Sequence, residues 1–141
     1  MEKIVTILLA CLALGCTSKK STHSSIEQTD SLLCELHERD QQIRHELMRV
    51  QRAFIAEQRA ELVDSIVMLV EEEERTDSLN RVAVDSLLQN GWPEGLSEQS
   101  NQTIWLIIDH GDVEYQERYL PLIEQQAMRG TLQHQHLSLI Y

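Results

Sequence analysis

Apolar residues recur alternately three and four positions apart along the first half of the chain, a spacing that places side chains on one face of an α-helix. The residues of this stripe are Leu33, Leu36, Ile43, Leu47, Val50 and Phe54. Glycine and proline, which form many of the turns in β proteins, number only 5 and 2 among 141 residues. The sequence therefore predicts an all-α protein with one long N-terminal helical region.

A second apolar stripe predicts that helix continues toward an acidic run in the middle of the chain. Glu71–Glu74 would lie unfavourably at the negative end of a helix dipole, so we expect a bend at or soon after this run. Thr76 or Asp77 can cap a short new helix, and Gly91 can close it in the left-handed conformation. Trp92 would then fold back onto the apolar side of that helix.

The second half of the chain carries signals for several short helices. Ser97 can cap a helix whose apolar run, residues 104–108, is expected to be the most buried element, with a short buried strand as the alternative. Asp112 can cap the next helix, and Pro121 predicts a kink or a split within it. A last short helix is expected over residues 132–141. Together these elements would form a compact unit packed against the long N-terminal region.

The N-terminus shows the order of features found in exported proteins. Lys3 supplies a positive charge, and residues 4–14 form an apolar run too short to span a bilayer as a permanent helix. The run ends in Leu-Ala-Leu-Gly before Cys16, which resembles the bacterial lipobox. This resemblance implies that residues 1–15 are a cleaved signal peptide, that diacylglycerol is attached to the Cys16 thiol, and that a fatty acid such as palmitate acylates the new amine. An ordinary signal peptide is the alternative.

Residues 16–29 are rich in Ser and Thr, so we expect a flexible tether between the lipid and a single helical domain over residues 30–141. Thr17, rather than an Asp, follows the cysteine, which favours the outer membrane, and the absence of an acidic run after the cysteine favours the periplasmic face. Two or three acyl chains would make the attachment nearly permanent, because one chain alone binds only marginally. Cys34 would be the one thiol left in the mature chain and is expected to be a small core residue.

The charge of the chain argues against nucleic-acid binding. The formal net charge is −11, and lysine occurs only at positions 3, 19 and 20. Phosphate contacts need clustered Lys and Arg, which this sequence does not provide. The acidic composition is typical of a soluble, self-repelling protein surface.

Asp40 occupies the one gap in the first apolar stripe. A carboxylate in such a position is costly unless it is paired, and Arg44, one helical turn later, can pair with it. An internal ion pair that fixes the register of the helix is therefore the expected role. A catalytic role for the carboxylate is the alternative.

Several short motifs follow one another in a set order. They are Asp40-Gln41-x-Ile43-Arg44, Asn80, Gly91-Trp92-Pro93, Trp105-Leu106, Asp109-His110-Gly111-Asp112, Gln116 and Leu120-Pro121-Leu122. This order resembles an uncharacterised bacterial family, the domain-of-unknown-function family sixty-six twenty-four, over roughly residues 30–141. Members usually have Ala in place of Gly111 and continue into a tail rich in Gly, Gln and Tyr. We therefore expect a member that is shortened at its C-terminus.

The resemblance groups the candidate ligand-binding residues into two polar sets and one aromatic position. The first set is His110, Asp112 and Gln116, the second is Asp40, Gln41 and Arg44, and the aromatic position is Trp92. An imidazole at a helix C-terminus beside carboxylates can act as a general acid or base. The alternative is that these side chains only satisfy hydrogen bonds at helix ends.

Two functional hypotheses remain open from the sequence. The first is an envelope-anchored helical module that binds a protein, peptide or glycan partner, and the second is a hydrolase- or lyase-like enzyme that uses His110 with Asp112 or Asp40. We favour the first because the sequence has no Gly-rich phosphate loop, nucleophile elbow or Cys/His dyad. His134 and His136 are two positions apart and cannot share a helix face, so we expect neither a metal site nor a cofactor.

Overall fold

The computed structural model describes residues 17–132, with side chains from residue 25 onward. Four helices follow one another: α1 (Thr17–Glu57), α2 (Val63–Leu88), α3 (Glu98–Asp109) and α4 (Val113–Met128). A 3₁₀ turn, Ala60–Leu62, precedes α2. The described residues contain no β-strand, which confirms the prediction of an all-α fold with one long N-terminal helix. The expected signal peptide and nearly all of the expected helix over 132–141 lie outside the described residues.

Helices α1 and α2 form an antiparallel hairpin that is longer than the rest of the molecule. The chain reverses near Gln58, whose φ of 51° is left-handed. Contacts across the hairpin join Arg39 to Asn80 and Arg44 to Asp77. Helix α3 packs against both α1 and α2 at the end of the hairpin opposite this reversal. We call residues 45–75 the arm, and the rest of the described chain the head.

The core of the head is built around α3. Ile104, Ile107 and Ile108 are buried there against Leu33 and Val84 of the hairpin. This confirms that the apolar run of residues 104–108 is deeply buried, and it shows that the run forms a helix rather than a strand. The helix is favoured because Ser97 caps it, its Oγ accepting a hydrogen bond from the Ser100 amide at 3.2 Å.

The prediction of a flexible tether over residues 16–29 is wrong for residues 17–29, which belong to α1. Thr29 donates a hydrogen bond from its hydroxyl to the Ser25 carbonyl at 3.0 Å, within the helix. The Asp30 carboxylate accepts hydrogen bonds from the amide and the hydroxyl of Ser97, each at 3.1 Å. Packing of this part of α1 against the start of α3 therefore outweighs the modest helix propensity of Ser and Thr.

The expected bend after the acidic run is also absent, because α2 continues through it. Glu73 and Asp77 both contact Arg44 of α1, and Thr76 is a buried residue of α2 rather than a cap. The glutamates consequently lie in the middle of a helix, away from the negative end of its dipole, and part of their charge faces a cation. The contacts with Arg44 thus stabilise a continuous helix where the local sequence suggested a bend.

The turn after α2 and the course of α4 agree in part with the sequence. Gly91 has φ +91° and donates its amide to the Leu88 carbonyl at 3.0 Å, which confirms the left-handed closure. Pro121 lies inside one uninterrupted helix, so the alternative of two helices split at this residue is wrong. Because proline has no amide hydrogen, the Glu117 carbonyl, four positions earlier, lacks its usual helical hydrogen bond. Because Glu117 and Pro121 are both exposed, water can reach that carbonyl.

Charged residues interrupt the apolar stretches of these helices. Among residues 17–132 no helix carries an apolar stretch of the length that a bilayer crossing requires.

Candidate functional site: a charged cluster that joins three helices

Asp40 is the buried centre of a polar cluster in the hairpin. Its side chain is 1% exposed. Its carboxylate accepts hydrogen bonds from Gln41 Nε2 at 2.9 Å and from Arg44 Nε at 3.3 Å. The gap in the apolar stripe of α1 is therefore a buried carboxylate with partners on its own helix, as the i, i+4 spacing predicted.

Arg44 connects this carboxylate to two acidic residues of α2. Its Nη1 lies 2.5 Å from Glu73 Oε1, and its Nη2 lies 2.6 Å from Asp77 Oδ1. The guanidinium is only 22% exposed. One fixed cation therefore holds three carboxylates from two helices, which is a use of the planar, five-donor arginine head that lysine could not reproduce.

His110 brings the third helix into the cluster. It is the C-cap residue of α3, and its amide donates to the carbonyls of Leu106 and Ile108. Its side-chain Nδ1 lies 3.1 Å from Asp40 Oδ1. The cluster thus ties α1, α2 and α3 together at the boundary between the head and the arm.

The contact between Asp40 and His110 defines which group holds the proton. Burial acts to raise the pKa of Asp40, but the hydrogen bond from His110 and the positive charges of His110 and Arg44 lower it more, so that the pKa lies below its ordinary value. Asp40 is therefore a carboxylate at neutral pH and can only accept. We assign a proton to His110 Nδ1 for this reason.

The other candidate residues do not join this cluster. Asp112 caps α4, its Oδ1 accepting from the Tyr115 amide at 2.8 Å. Gln116 donates from Nε2 to the carbonyls of Asp109, at 2.7 Å, and Gly111, at 3.0 Å. The three residues of the expected first set are therefore separated: His110 joins Asp40, while Asp112 and Gln116 hold the α3–α4 connection.

Trp92 is also engaged inside the protein rather than lining an open groove. Its side chain is 7% exposed, and its Nε1 donates to Asn101 Oδ1 at 2.7 Å. Asn101 in turn donates to the carbonyls of Leu96 and Ser97. The ring therefore locks the turn after α2 onto the first turn of α3.

Three members of the cluster have the residue types of a metal site. Ligand atoms of Asp40, Asp77 and His110 all lie within 4.8 Å of one another. The guanidinium of Arg44 already contacts both carboxylates, at 3.3 and 2.6 Å. A divalent cation could bind here only by displacing Arg44 and its positive charge, which makes the arginine the natural counterion of the group.

Sequence reasoning missed two members of the cluster, Glu73 and Asp77. Their spacing of four positions was the available signal, because it places both carboxylates on one face of α2. A second polar contact was missed altogether: the hydroxyls of Tyr115 and Tyr119 both donate to Asp85 Oδ1, at 3.0 and 2.5 Å. Burial and this carboxylate raise the pKa of Tyr119 to about 12 and raise the pKa of Tyr115 further.

Two cavities formed by the described residues lie away from the cluster. The larger, of about 510 Å³, is a groove on the arm, and the smaller, of about 280 Å³, lies between the start of α3 and the end of α4. None of the cluster residues lines either of them. The cluster is therefore not the floor of either cavity.

Comparison with known proteins adds no relative: the chain matches no family model, no curated protein and no solved structure. The resemblance to the domain-of-unknown-function family stays a prediction.

Proposed function

We propose that the chain is a lipid-anchored helical interaction module of the bacterial envelope, attached through Cys16 and facing the periplasm from the outer membrane. The lipobox-like sequence before Cys16 supports the anchor. Helix α1, described from Thr17 to Glu57, comprises 41 residues. At 1.5 Å per residue, such a helix is about 60 Å long and would hold the arm well away from the lipid surface.

The observation that carries the interaction role is the exposure of large apolar side chains on the arm. Ile55 is 74% exposed, Met68 is 70% exposed and Val67 is 50% exposed. Apolar side chains scattered singly on a surface need no explanation, but a group of them on one projecting element is typical of a binding surface. The candidate polar residues, in contrast, are satisfied by partners inside the protein.

Both halves of the proposal can be tested in intact cells. The Cys16→Ser variant should move from the membrane fraction to the soluble fraction, because its chain cannot receive the acyl groups that anchor it. The Cys34→Ser variant keeps Cys16 and should stay with the membrane. A photoreactive residue at Met68 should form a covalent adduct with a protein partner, whereas one at Val113, 69% exposed on α4, should not.

Membrane retention of the Cys16→Ser variant would refute the lipid anchor. Equal labelling from positions 68 and 113, or labelling from neither, would refute the interaction role of the arm.

An acid–base enzyme is a second candidate function, favoured by the 3.1 Å contact between His110 and Asp40. A buried carboxylate that orients an imidazole is the arrangement by which many enzymes hold a general base. If this hypothesis is correct, a screen of ester, amide and glycoside substrates should find turnover that falls about 100-fold or more in His110→Gln. The matched control is His45→Gln, an exposed histidine of α1. Absence of turnover, or equal turnover in both variants, would refute the enzyme.

A further inference from the structure

The groove on the arm combines apolar and charged side chains. It has a volume of about 510 Å³ and lies between α1 and α2. Its apolar lining comprises Val50, Ala53, Leu62, Met68 and Leu69. Glu46, Arg49, Arg59 and Glu72 add two negative and two positive charges, so that the charged lining is neutral on a chain whose net charge is −11. A second copy of the chain therefore meets no net charge repulsion from this lining.

The groove lies on the side of the hairpin that α3 does not cover. Asp30 contacts Ser97 at the start of α3. At about 100° per residue, Glu46 of the groove lies about 160° around α1 from Asp30. The start of α3 therefore lies on the opposite side of α1 from the groove.

The uncovered surface extends beyond the groove. Leu32, 39% exposed, precedes Glu46 by two heptads, and Leu79, 55% exposed, follows Glu72 by one heptad. From Leu32 to Arg59 the surface is about 40 Å long, and two adjacent helices are about 20 Å wide. The resulting area of about 800 Å² is what one partner contributes to a stable interface of standard size.

The charges of this surface are arranged to complement a second copy. Glu46 and Arg49 pair with each other on α1, and Glu72 and Arg75 pair with each other on α2. The contacts of Arg44 with Glu73 and Asp77 set the hairpin register, which places Arg49 near the level of Glu72. The same register places Glu46 near the level of Arg75.

We propose that a second copy of this chain docks on the groove, with the two hairpins parallel and related by a two-fold axis along their length. This operation lays α1 of one copy on α2 of the other, so that Arg49 meets Glu72 and Glu46 meets Arg75 across the interface. Both copies then have their N-termini at the same end, as two molecules anchored in one membrane require. The inference rests on the proposed function in taking the arm as the interaction surface.

The oligomeric state of the full chain, purified from membranes in detergent, tests this proposal. Sedimentation should show a dimer, and Met68→Glu should weaken its association at least about tenfold, because a carboxylate would be buried at the apolar centre of the interface. Val113→Glu is the matched control, since the two side chains are 70% and 69% exposed. It should leave the association unchanged, and circular dichroism should show both variants folded.

Exchanging the charges of Arg49 and Glu72 distinguishes a direct contact between them from a general electrostatic effect on dimer association. Arg49→Glu alone and Glu72→Arg alone should each weaken the dimer, whereas the double variant should restore it, because the cross-interface pair is re-formed with its charges reversed. A double variant weaker than both single variants would overturn the proposed contact.

The outcome also distinguishes this inference from the proposed function. A monomeric wild-type chain that still labels another envelope protein from position 68 would overturn the second copy as partner and leave the interaction module standing. A monomeric chain that labels nothing would overturn both.

Discussion

Replacement of Arg44 by Met is expected to lower the free energy of unfolding by about 3–5 kcal/mol, the cost of breaking a buried ion pair. Arg44 is the cation that contacts Asp40, Glu73 and Asp77 together. Its removal would leave Asp40, which is 1% exposed, ionised in an apolar seam beside two further carboxylates. Urea unfolding followed by circular dichroism at neutral pH measures this loss.

Arg129→Met provides the control for this prediction. Arg129 forms an ion pair with Glu94 at 3.8 Å, but the two side chains are 50% and 89% exposed. Solvent screens such a pair, so its loss should cost about 0–1 kcal/mol. Equal effects of the two substitutions would show that the cluster around Arg44 is no more than a surface ion pair.

Acid should reduce the effect of the Arg44→Met substitution. In the native protein the pKa of Asp40 lies below its ordinary value of 3.8, so its ionised form stabilises the fold above about pH 4, and that contribution is lost as the pH falls through the folded-state pKa. In the variant, protonation of the stranded carboxylates relieves their burial and repulsion. The difference in stability between the two proteins should therefore shrink between about pH 7 and pH 4.

Replacement of Trp92 by Ala is expected to cost about 3–5 kcal/mol, as for other large aromatic side chains removed from a core. Trp92 is 7% exposed and packs in the core cluster of the head. Its loss would leave a cavity and would also deprive Asn101 Oδ1 of its 2.7 Å hydrogen bond. The midpoint of thermal unfolding and the free energy from urea titration both report the change.

Two further substitutions separate the contributions at this site. Trp92→Phe fills most of the cavity but cannot donate to Asn101, so its expected cost is about 1–3 kcal/mol. Ile55→Ala removes an apolar side chain that is 74% exposed and should change stability by less than about 0.5 kcal/mol. A cost for Trp92→Ala as small as that for Ile55→Ala would contradict the packing of the ring.

Local chemistry explains which parts of this fold the sequence could predict. The pairing of Asp40 with Arg44 follows from their spacing on one helix, and the caps at Ser97 and Asp112 follow from side chains that reach amides two or three positions away. The left-handed Gly91 is local in the same sense. Each of these features depends on a few neighbouring residues, and each is present in the structure.

Contacts between distant residues explain where sequence reasoning failed. The acidic run of α2 suggested a bend, but Glu73 has its counterion in Arg44 of α1, 29 positions away in the chain. Asp30 likewise binds Ser97, 67 positions away, a contact that no local pattern indicates. The sequence allowed a contact between His110 and Asp40 without requiring it, because periodicity does not show which helices pack together.

The sequence separations within the cluster also imply an order of assembly. Arg44 reaches Glu73 and Asp77 across 29 and 33 positions, whereas His110 reaches Asp40 across 70. Closing the shorter loops costs less chain entropy, and contacts of low sequence separation form faster. The hairpin can therefore form with Asp40 already neutralised by Arg44, and α3 can dock afterwards onto a finished surface. The contact of His110 with Asp40 then closes the longest loop within the cluster.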